Sequence, residues 1–447
     1  MKILHYALGF PPYRSGGLTK FCVDLMVQQA KEGKKVAMLW PGQMGFVKKK
    51  TKVKDRGDVF LKHQKVKSYE IINPLPVSLD EGINDFSIFT ADADKKIYSE
   101  FLKKYKPDVI HVHTLMGLHK SFLEAAKEQD IHLVFTTHDF FPICPKVTMF
   151  HKGTICEHIE DCSECNACNV TALGLNKIRI LQSPIYRFMK DTFIVKKLRK
   201  QHRDNYLSDN NVDNDAISVG TLEDYKRLRE YYRLMLELMD IIHYNSSVTK
   251  NVYESVYGEL NNAVIGITHS DIKDNRHLKK FSNDKFRIRY LGPQSDAKGF
   301  FVLKKALDEL WKEQQNFSLD VHFKPIEKSE YMKVHGRYVY KDLKDIFDET
   351  DVLVAPSIGY ETFGFTVLEA ISYGVPVVIN GNVGAKDILV NRAGIVIDEF
   401  DSEKVKTIFK NLTVKQLQNM NKVIVEKQQI MQIEDMSKQI EKICYII

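Results

Sequence analysis

The sequence has no apolar run of eighteen or more residues, so no transmembrane helix is expected. Its first ten residues, MKILHYALGF, are not followed by a small-residue cleavage site, and they resemble a first buried strand more than a secretion signal. No G-x-G-x-x-G motif follows an early strand, which argues against a nucleotide-dependent oxidoreductase. The chain also lacks internal repeats and low-complexity tracts. These absences predict a globular protein of the cytoplasm.

Length and charge indicate how many domains the protein has and what kind of partner it binds. At 447 residues the chain exceeds the usual limit for a single core, so two domains are expected. Apolar residues make up 44% and charged residues 28%, which is ordinary for a globular enzyme. The net charge of +7 is modest for this length and does not indicate nucleic acid. It is compatible with an anionic nucleotide substrate or an anionic membrane surface.

Short apolar runs alternate with helical patterns, which predicts parallel sheets built from βαβ units. The predicted strands are 3–9, 35–40, 108–113, 133–137, 241–245, 263–268, 286–291, 318–323, 352–355, 375–379 and 394–396. Two such series predict an α/β fold with two Rossmann-like domains, at residues 1–255 and 256–424. Residues 413–447 contain neither Gly nor Pro and are predicted to be helical.

The most informative stretch is YETFGFTVLEA, which places Glu361 and Glu369 eight positions apart around Gly364. A strand pattern precedes the stretch, so Glu361 is predicted on the following loop and Glu369 in the first turns of a helix. Ligands of open α/β sheets bind at this edge. The amides of Gly364, Phe365 and Thr366 would open the helix, where they can meet a phosphate. Phosphate donors between two carboxylates indicate a nucleotide-sugar site.

This stretch resembles the E-x7-E motif of the retaining glycosyltransferases of family four, which have the GT-B fold. The resemblance covers roughly residues 1–140 and 240–400. It implies two domains facing a cleft, and a final helix at about 425–447 that crosses back to the N-terminal domain. It also implies a nucleoside-diphosphate sugar as donor and no cofactor for catalysis. No Asp-x-Asp pair stands where it would bind a metal beside the donor phosphates.

The resemblance assigns roles within the motif and to one lysine before it. Glu369 would hold the ribose hydroxyls, Glu361 would contact the donor sugar, and Phe363 belongs to the same donor site. The segment from Gly292 to 299 resembles the one that supplies an Arg and a Lys to the diphosphate. Lys298 matches the Lys and is expected to stabilise the leaving group.

One phosphate-binding cation of the family pattern is missing, because Pro293 stands where the Arg is usual. Arg14 and Arg289 are the candidate replacements. Residues 338–340 fall in the region where the family binds the base.

Two segments of the first domain also match the family. Gly16 and Gly17 follow the first strand and resemble its glycine loop, near the donor diphosphate and the acceptor. His138 follows the strand predicted at 133–137, where a family histidine lies beside the transferred sugar; the alternative is a histidine that caps the strand. The predicted catalytic residues are thus His138, Glu361 and Lys298. His111 and His113 alternate at another strand end; the structural interpretation is preferred to one in which either faces the cleft.

Five of the seven cysteines fall within 25 residues: Cys144, Cys156, Cys162, Cys165 and Cys168. In a reducing compartment thiolates this close usually hold a metal, so a structural zinc on four of the five is predicted. An iron–sulfur cluster on Cys144, Cys162, Cys165 and Cys168 is the alternative, and free thiols or a redox pair are the third. The cluster opens a predicted insertion at about 144–235, which would border the acceptor cleft.

Residues 177–203 carry nine Lys or Arg against one Asp. Apolar residues interleave with the basic ones: Ile180, Leu181, Ile185, Phe188, Phe193, Ile194 and Leu198. The segment is either a solvated face or an amphipathic stretch on an anionic leaflet, where each basic residue contributes about 1 kcal/mol. Peripheral docking at the inner face of the plasma membrane would suit an acceptor carried on a polyprenyl diphosphate.

The predicted function is transfer of a sugar from a nucleoside diphosphate to a hydroxyl of a glycan, lipid-linked and destined for a surface polysaccharide. Nucleic acid is not an expected partner. The alternative is a non-catalytic adaptor with the same fold, organised by the predicted metal site of its cysteine cluster and by the basic residues of 177–203. Only the missing Arg at Pro293 favours it.

Overall fold

The structure is a computed structural model that describes residues 1–46, 50–190, 192, 193, 195, 197, 220–282 and 285–446. Two sheets, one parallel and one parallel except for a single strand pair, are flanked by helices and form two Rossmann-like units, as predicted from the alternation of strands and helices. All eleven predicted strands are present, with ends shifted by a few residues. No helix among these residues is long and apolar enough to cross a lipid bilayer.

The N-terminal sheet has eight strands in the order β10-β9-β6-β5-β1-β2-β4-β3. In chain order the strands of this half are β1 (Lys2–Tyr6), β2 (Lys35–Pro41), β3 (Lys52–Leu61), β4 (Gln64–Ile72), β5 (Val109–Val112), β6 (His132–Thr137), β7 (Phe150–His151), β8 (Thr154–Ile155), β9 (Ile241–Tyr244) and β10 (Asn262–Val264). Strands β7 and β8 form a separate short hairpin. Pairing in the sheet is parallel except between β3 and β4, a hairpin that the sequence analysis did not predict.

The helices of this half cover the sheet and build the segment between β6 and β9. They are α1 (Gly17–Lys31), α2 (Phe86–Phe89), α3 (Lys95–Tyr105), α4 (Lys120–Lys127), α5 (Cys165–Cys168), α6 (Leu175–Leu181), α7 (Pro184–Met189), α8 (Leu222–Glu237) and α9 (Ser247–Tyr257). Helix α8 starts with a capping box between Thr221 and Asp224 and buries Leu228 and Tyr232 in the core. The predicted end of the insertion, at 235, falls inside this helix.

The C-terminal sheet has six parallel strands in the order β13-β12-β11-β14-β15-β16. Its strands are β11 (Phe286–Tyr290), β12 (Phe317–Val321), β13 (Met332–Val334), β14 (Val352–Ala355), β15 (Val377–Asn380) and β16 (Gly394–Ile397). The helices that follow are α10 (Phe300–Trp311), α11 (Leu343–Asp348), α12 (Phe365–Ser372), α13 (Ser402–Asn411), α14 (Val414–Lys427) and α15 (Ile433–Cys444). The buried β14 ends at the loop that carries the two motif glutamates.

The segment predicted as one helix after residue 413 is two helices with a break at 428–432. Helix α14 packs in the C-terminal half, where Leu417 and Ile424 are buried. Helix α15 and Tyr445 pack against Ile3 and Val109 of the first sheet. The chain therefore returns to the N-terminal unit only after residue 432.

Candidate active site

A pocket of about 200 Å³ opens at the carboxyl ends of β11 and β14. Six of the residues predicted to bind the donor line it: Gly292, Lys298, Glu361, Gly364, Phe365 and Thr366. Phe363 instead buries its side chain in an apolar cluster with Ile265 and Ile267. The pocket is not lined by the remaining predicted residues, which are Gly16, Gly17, His138 and Glu369.

A larger groove of about 1350 Å³ lies on the N-terminal unit, at the amino ends of β1 and β2. Lys2, Lys35 and Lys104 are among its lining residues, and none of the predicted site residues is. Open parallel sheets bind ligands at the carboxyl ends of their strands. We therefore place the candidate site in the smaller pocket.

The pocket brings together a lysine and a glutamate that are far apart in sequence. Lys298 Nζ donates a hydrogen bond to Glu361 Oε2. The backbone of Glu361 is fixed on both sides, because its amide donates to Asn382 O at 2.9 Å and its carbonyl accepts from Gly384 N at 2.9 Å. The loop of Lys298 comes close because Gly299 has no side chain: a Cβ there would lie 1.7 Å from Pro356 O.

The N-terminus of α12 forms the floor of the pocket. Gly364 precedes the helix with a φ of 100°, a conformation that favours glycine, and a Cβ there would lie 3.1 Å from Val383 Cγ1. The amides of Phe365 and Thr366 follow at the start of the helix, where unpaired backbone N–H groups and the helix dipole favour an anion. Lys298 and this helix end thus both line the pocket with groups that can donate hydrogen bonds.

Glu369 lies one turn further along α12 and is only 5% exposed. Its Oε1 is 3.4 Å from His269 Nε2, an ion-pair distance without hydrogen-bond geometry, since Nε2 has no bonded partner among the described residues. Burial, and then the Glu369 charge, raise the pKa of Tyr338 to about 12. The ring of Tyr340 packs on His269 and lies under Lys20 Nζ, at 4.7 Å. Glu369 thus sits among aromatic rings in the predicted base region.

Sequence analysis did not single out His269. The residue follows the strand predicted at 263–268, so its position at a strand end was the available signal. The structure shortens that strand to Asn262–Val264 and leaves His269 in a loop beside Phe365.

The N-terminal unit faces α12 across the cleft. A Cβ on Gly17 would lie 3.5 Å from Phe365 Cε2, while Gly16, with a φ of 104°, has open space around it. Thr362 Oγ1 donates to His138 O at 3.2 Å, and Ser246 Oγ donates to Thr362 O at 2.6 Å. The glycine loop and His138 therefore both meet the motif loop.

His138 carries a neutral imidazole. Burial lowers its pKa to about 3, and its Nε2 lies 3.3 Å from His113 Nδ1. The neighbouring Asp139 is affected in the opposite direction, because burial raises the pKa of its carboxyl to about 6. The structure places His111 and His113 in the buried layer beneath His138, as expected for structural histidines.

The two candidate replacements for the missing phosphate cation differ. Arg289 is 2% exposed and donates to Thr350 Oγ1 at 3.1 Å, with Asp320 Oδ1 at 3.7 Å, so its guanidinium is engaged in the core. Arg14 lies in the glycine loop, 4.8 Å from the Tyr13 ring, and its Nε has no partner among the described residues. Neither arginine lines the candidate pocket, so both stay predictions as replacements for the missing cation.

Two of the five clustered cysteines contact Arg229. Its guanidinium donates to Cys162 Sγ at 2.9 Å and to Cys165 Sγ at 3.3 Å. The hydrogen bond from Cys165, and then Arg229, lower the pKa of the Cys162 thiol to about 6. Among the described residues no three of the five clustered thiols lie within 4.8 Å of one another, so the metal on Cys144, Cys156, Cys162, Cys165 and Cys168 stays a prediction.

The basic segment packs on the glycine loop through its described part, and Ile194 and Leu198 lie outside the described residues. Tyr13 donates to Leu181 O at 3.2 Å, and Lys190 Nζ donates to Tyr13 O at 3.0 Å. The outer side is apolar, with Ile185 at 73% and Phe188 at 88% exposure. Exposed apolar side chains thus lie directly outside the glycine loop.

Two family models match the chain, one in each unit. Residues 15–155 match Glycosyltransferase Family 4, and residues 285–413 match Glycosyl transferases group 1. An uncharacterized 41.2 kDa protein in the cps region of Klebsiella pneumoniae is 30% identical over 137 residues. That match covers 29% of this chain and 38% of the relative, so the chain spans well under half of that protein's length in the comparison.

Solved structures share the fold over the whole chain at low identity. Anabaena HepE in complex with UDP and glucose has a TM-score of 0.53 at 13% identity, covering 99% of this chain and 98% of that one. Sucrose-phosphate synthase from Thermosynechococcus elongatus has a TM-score of 0.52 at 13% identity, with 99% and 97% covered. WaaG, a glycosyltransferase involved in lipopolysaccharide biosynthesis, has a TM-score of 0.50 at 13% identity, with 99% of both chains covered.

The two family matches include both walls of the cleft. Gly16, Gly17 and His138 fall in the first match, and Lys298 and the two motif glutamates fall in the second. The predicted family and GT-B fold are confirmed: the chain is a family 4-type glycosyltransferase with the GT-B fold.

Proposed function

We propose that this glycosyltransferase transfers a sugar, with retention of anomeric configuration, from a nucleoside diphosphate to a hydroxyl of a glycan acceptor. The observation that carries the donor half is the convergence of Lys298, Glu361 and the N-terminus of α12 on one pocket. Retention is supported by the resemblance to the E-x7-E motif alone.

The pocket has the groups that a leaving nucleoside diphosphate needs. Cations and amides stabilise the negative charge that develops on the leaving phosphate. Lys298 supplies the cation, and Phe365 and Thr366 supply the amides. Because Lys298 is paired with Glu361 in this structure, diphosphate binding would exchange that carboxylate for phosphate oxygens and free Glu361 to accept hydrogen bonds from the sugar. Glu369 would hold the ribose on the other side of α12.

The acceptor is proposed to be a lipid-linked glycan of a surface polysaccharide. The relative in the Klebsiella cps region and the fold shared with WaaG support this choice. The exposed apolar side chains of α7 support a membrane-borne acceptor, because they lie beside the glycine loop that would receive it. An amphipathic basic segment can rest on an anionic leaflet with its apolar side chains among the headgroups.

Membrane docking is tested by flotation with vesicles of anionic or zwitterionic phospholipid. The protein is expected to float with anionic vesicles, and the double variant Ile185→Glu, Phe188→Glu is expected to remain in solution. Phe60→Glu is the matched control, since Phe60 is 71% exposed on β3, away from this segment. Equal loss of flotation in the control, or none in the double variant, would contradict docking through α7.

Donor binding is tested by calorimetry with UDP, GDP, ADP and dTDP and their sugars. We expect micromolar affinity for one nucleotide, weakened about tenfold or more in Glu369→Gln. The anomeric signals of the product in proton NMR then report retention or inversion. If no nucleotide binds to folded protein, the adaptor alternative gains support. Retention of cellular function by Glu361→Ala would support it independently.

A further inference from the structure

A single chain of hydrogen bonds runs along one buried face of the N-terminal sheet and connects His138 to the backbone carbonyl of Ile265. Its members come from β1, β5, β6, β9, α1 and the residue after α15. In order they are His138, His113, His5, Gln29, Tyr445, His111, Thr136, His243 and the carbonyl of Ile265. The eight links measure 2.6–3.3 Å, and all members except His138 are buried.

The direction of donation is fixed at the Ile265 end. A carbonyl only accepts, so His243 Nε2 carries the proton at 2.8 Å and its Nδ1 accepts from Thr136 Oγ1 at 2.9 Å. The Thr136 hydroxyl has one proton to donate, so it accepts from His111 Nε2 at 2.6 Å. His111 Nδ1 then accepts from the Tyr445 hydroxyl at 2.7 Å.

The same logic continues to the cleft. Gln29 Nε2 donates to Tyr445 Oη at 3.1 Å, so Gln29 Oε1 accepts from His5 Nε2 at 2.8 Å. His5 Nδ1 accepts from His113 Nε2 at 2.9 Å, and His113 Nδ1 accepts from His138 Nε2 at 3.3 Å. Each step requires a neutral imidazole, and burial lowers the pKa of every histidine in the chain.

We propose that this chain of hydrogen bonds, called the relay below, holds His138 as the Nε2–H tautomer. An unprotonated Nδ1 is then the atom presented to the ligand. Nδ1 has no hydrogen-bond partner among the described residues and is not one of their buried unbonded atoms. A bare ring nitrogen accepts a hydrogen bond but cannot donate one. His138 then recognises a hydroxyl or amide N–H and rejects phosphate oxygens, which accept only. The identification of that hydroxyl as a sugar hydroxyl rests on the proposed function.

A metal site is the competing interpretation of the same rings. The ligand nitrogens of His5, His111 and His113 lie within 4.8 Å of one another. Both ring nitrogens of each are already hydrogen-bonded, however, so an ion would have to displace several of these bonds. The relay leaves no buried ring nitrogen of these three residues unpaired.

The tautomer is measured by long-range proton–nitrogen NMR on full-length protein with ¹⁵N-labelled histidine and no substrate, so the result does not depend on the transfer reaction. The His138 signals are assigned by their loss in His138→Gln. We expect a protonated Nε2 and an unprotonated Nδ1. A proton on Nδ1, or a metal-bound ring nitrogen at His5, His111 or His113, would overturn the proposal.

Two variants break the relay at different links. Thr136→Val leaves His111 Nε2–H without an acceptor; because buried orphan donors are rarer than orphan acceptors, the bonds on the His138 side should reverse and put the proton on Nδ1. Tyr445→Phe removes the link between Gln29 and His111 and should have the same effect. Thr137→Val is the matched control, a neighbouring buried threonine outside the relay.

The outcomes separate the relay from a general packing effect. A shift of the His138 proton to Nδ1 in both relay variants, with the control unchanged, supports the proposal. An unchanged tautomer in either folded relay variant, or the same shift in Thr137→Val, overturns it. Cooperative thermal unfolding identifies the variants that are folded, and the two separate links keep the test decisive if one variant is not.

Discussion

Replacing Glu361 by Gln should strengthen the binding of a free nucleoside diphosphate while it weakens sugar transfer. In the structure Glu361 Oε2 accepts a hydrogen bond from Lys298 Nζ, the only cation that lines the donor pocket among the described residues. A phosphate that binds Lys298 has to compete with this carboxylate. The amide of Gln keeps the shape of the side chain and removes its charge.

The expected gain in diphosphate affinity follows from the distance between the two negative charges and from the exposure of Glu361. Two oxygens bonded to one ammonium lie about 5 Å apart, and two unit charges at that distance repel by about 3 kcal/mol at an effective dielectric constant near 20. The Glu361 side chain is 29% exposed, and solvent and salt reduce this to about 1–2 kcal/mol. The diphosphate should therefore bind about tenfold more tightly to Glu361→Gln. Loss of a partly exposed ion pair should lower the free energy of unfolding by less than about 1 kcal/mol.

Calorimetry with the preferred nucleoside diphosphate measures this directly. Glu369→Gln is the matched control, because it changes the other motif glutamate away from Lys298. The loss of hydrogen bonds to the ribose should weaken binding there by about 1.5–3 kcal/mol. The transfer rate should fall in both variants. Weaker diphosphate binding by Glu361→Gln would refute the competition between Glu361 and phosphate for Lys298.

Further predictions concern the site loop, the buried histidines and the cysteines. Gly299→Ala should displace the Lys298 loop and abolish nucleotide binding in calorimetry, because the added Cβ would lie 1.7 Å from Pro356 O. Gly174→Ala is the control and should bind nucleotide normally, because a Cβ at Gly174 has no neighbouring atom within 4 Å. The free energy of unfolding, from urea midpoints, should fall as pH drops from about 6.5 toward 4, by up to about 1.4 kcal/mol per histidine per pH unit. The reason is that six histidines, five of them buried and His138 half-buried, have lowered pKa values and take up protons only on unfolding. Asp139, with its raised pKa, opposes this by one proton, and a rise in stability would contradict the assignment. If the cysteines hold a structural zinc, purified protein should contain about one equivalent of metal by mass spectrometry, and Cys162→Ser should lose it. Native protein without metal would contradict the zinc site and leave the thiols free or redox-active.

The buried parallel strands could be predicted because their apolar runs are nearly continuous. In β1, β5 and β6 almost every residue is buried, and the runs stand out in the sequence. Strand β3 has the opposite character: it lies at the edge of the sheet, its residues alternate between exposed and half-buried, and it carries Lys52, Lys54, Asp55 and Arg56. Such a strand has no apolar run to reveal it.

The break between α14 and α15 could not be predicted, because its cause is tertiary. No Gly or Pro marks it. The side chain of Gln428 is buried and bonds Ile388 O at 2.7 Å and Val390 N at 3.1 Å, which draws the chain away from the helix axis. Arg276 donates to Ile424 O at 2.7 Å and pairs a carbonyl at the helix end.

Six residues that line the candidate pocket could be grouped from sequence because they lie in two short segments with characteristic spacing. The environment of His138 could not be predicted, since His5, His111 and Tyr445 come from three distant parts of the chain. Local patterns carry no information about which polar groups meet under a sheet.

The return of α15 to the first sheet has a consequence for how the protein is made. Gln29 on the first helix donates a hydrogen bond to Tyr445, 416 residues later. The face of the N-terminal sheet that packs on α15 therefore cannot be covered while the ribosome is still translating the second unit. Contacts of such sequence separation form late, because the loop between them has to close first. Until then an apolar face that includes Ile3 and Phe21 stays uncovered. We therefore expect nascent chains stopped before residue 433 to need chaperone protection.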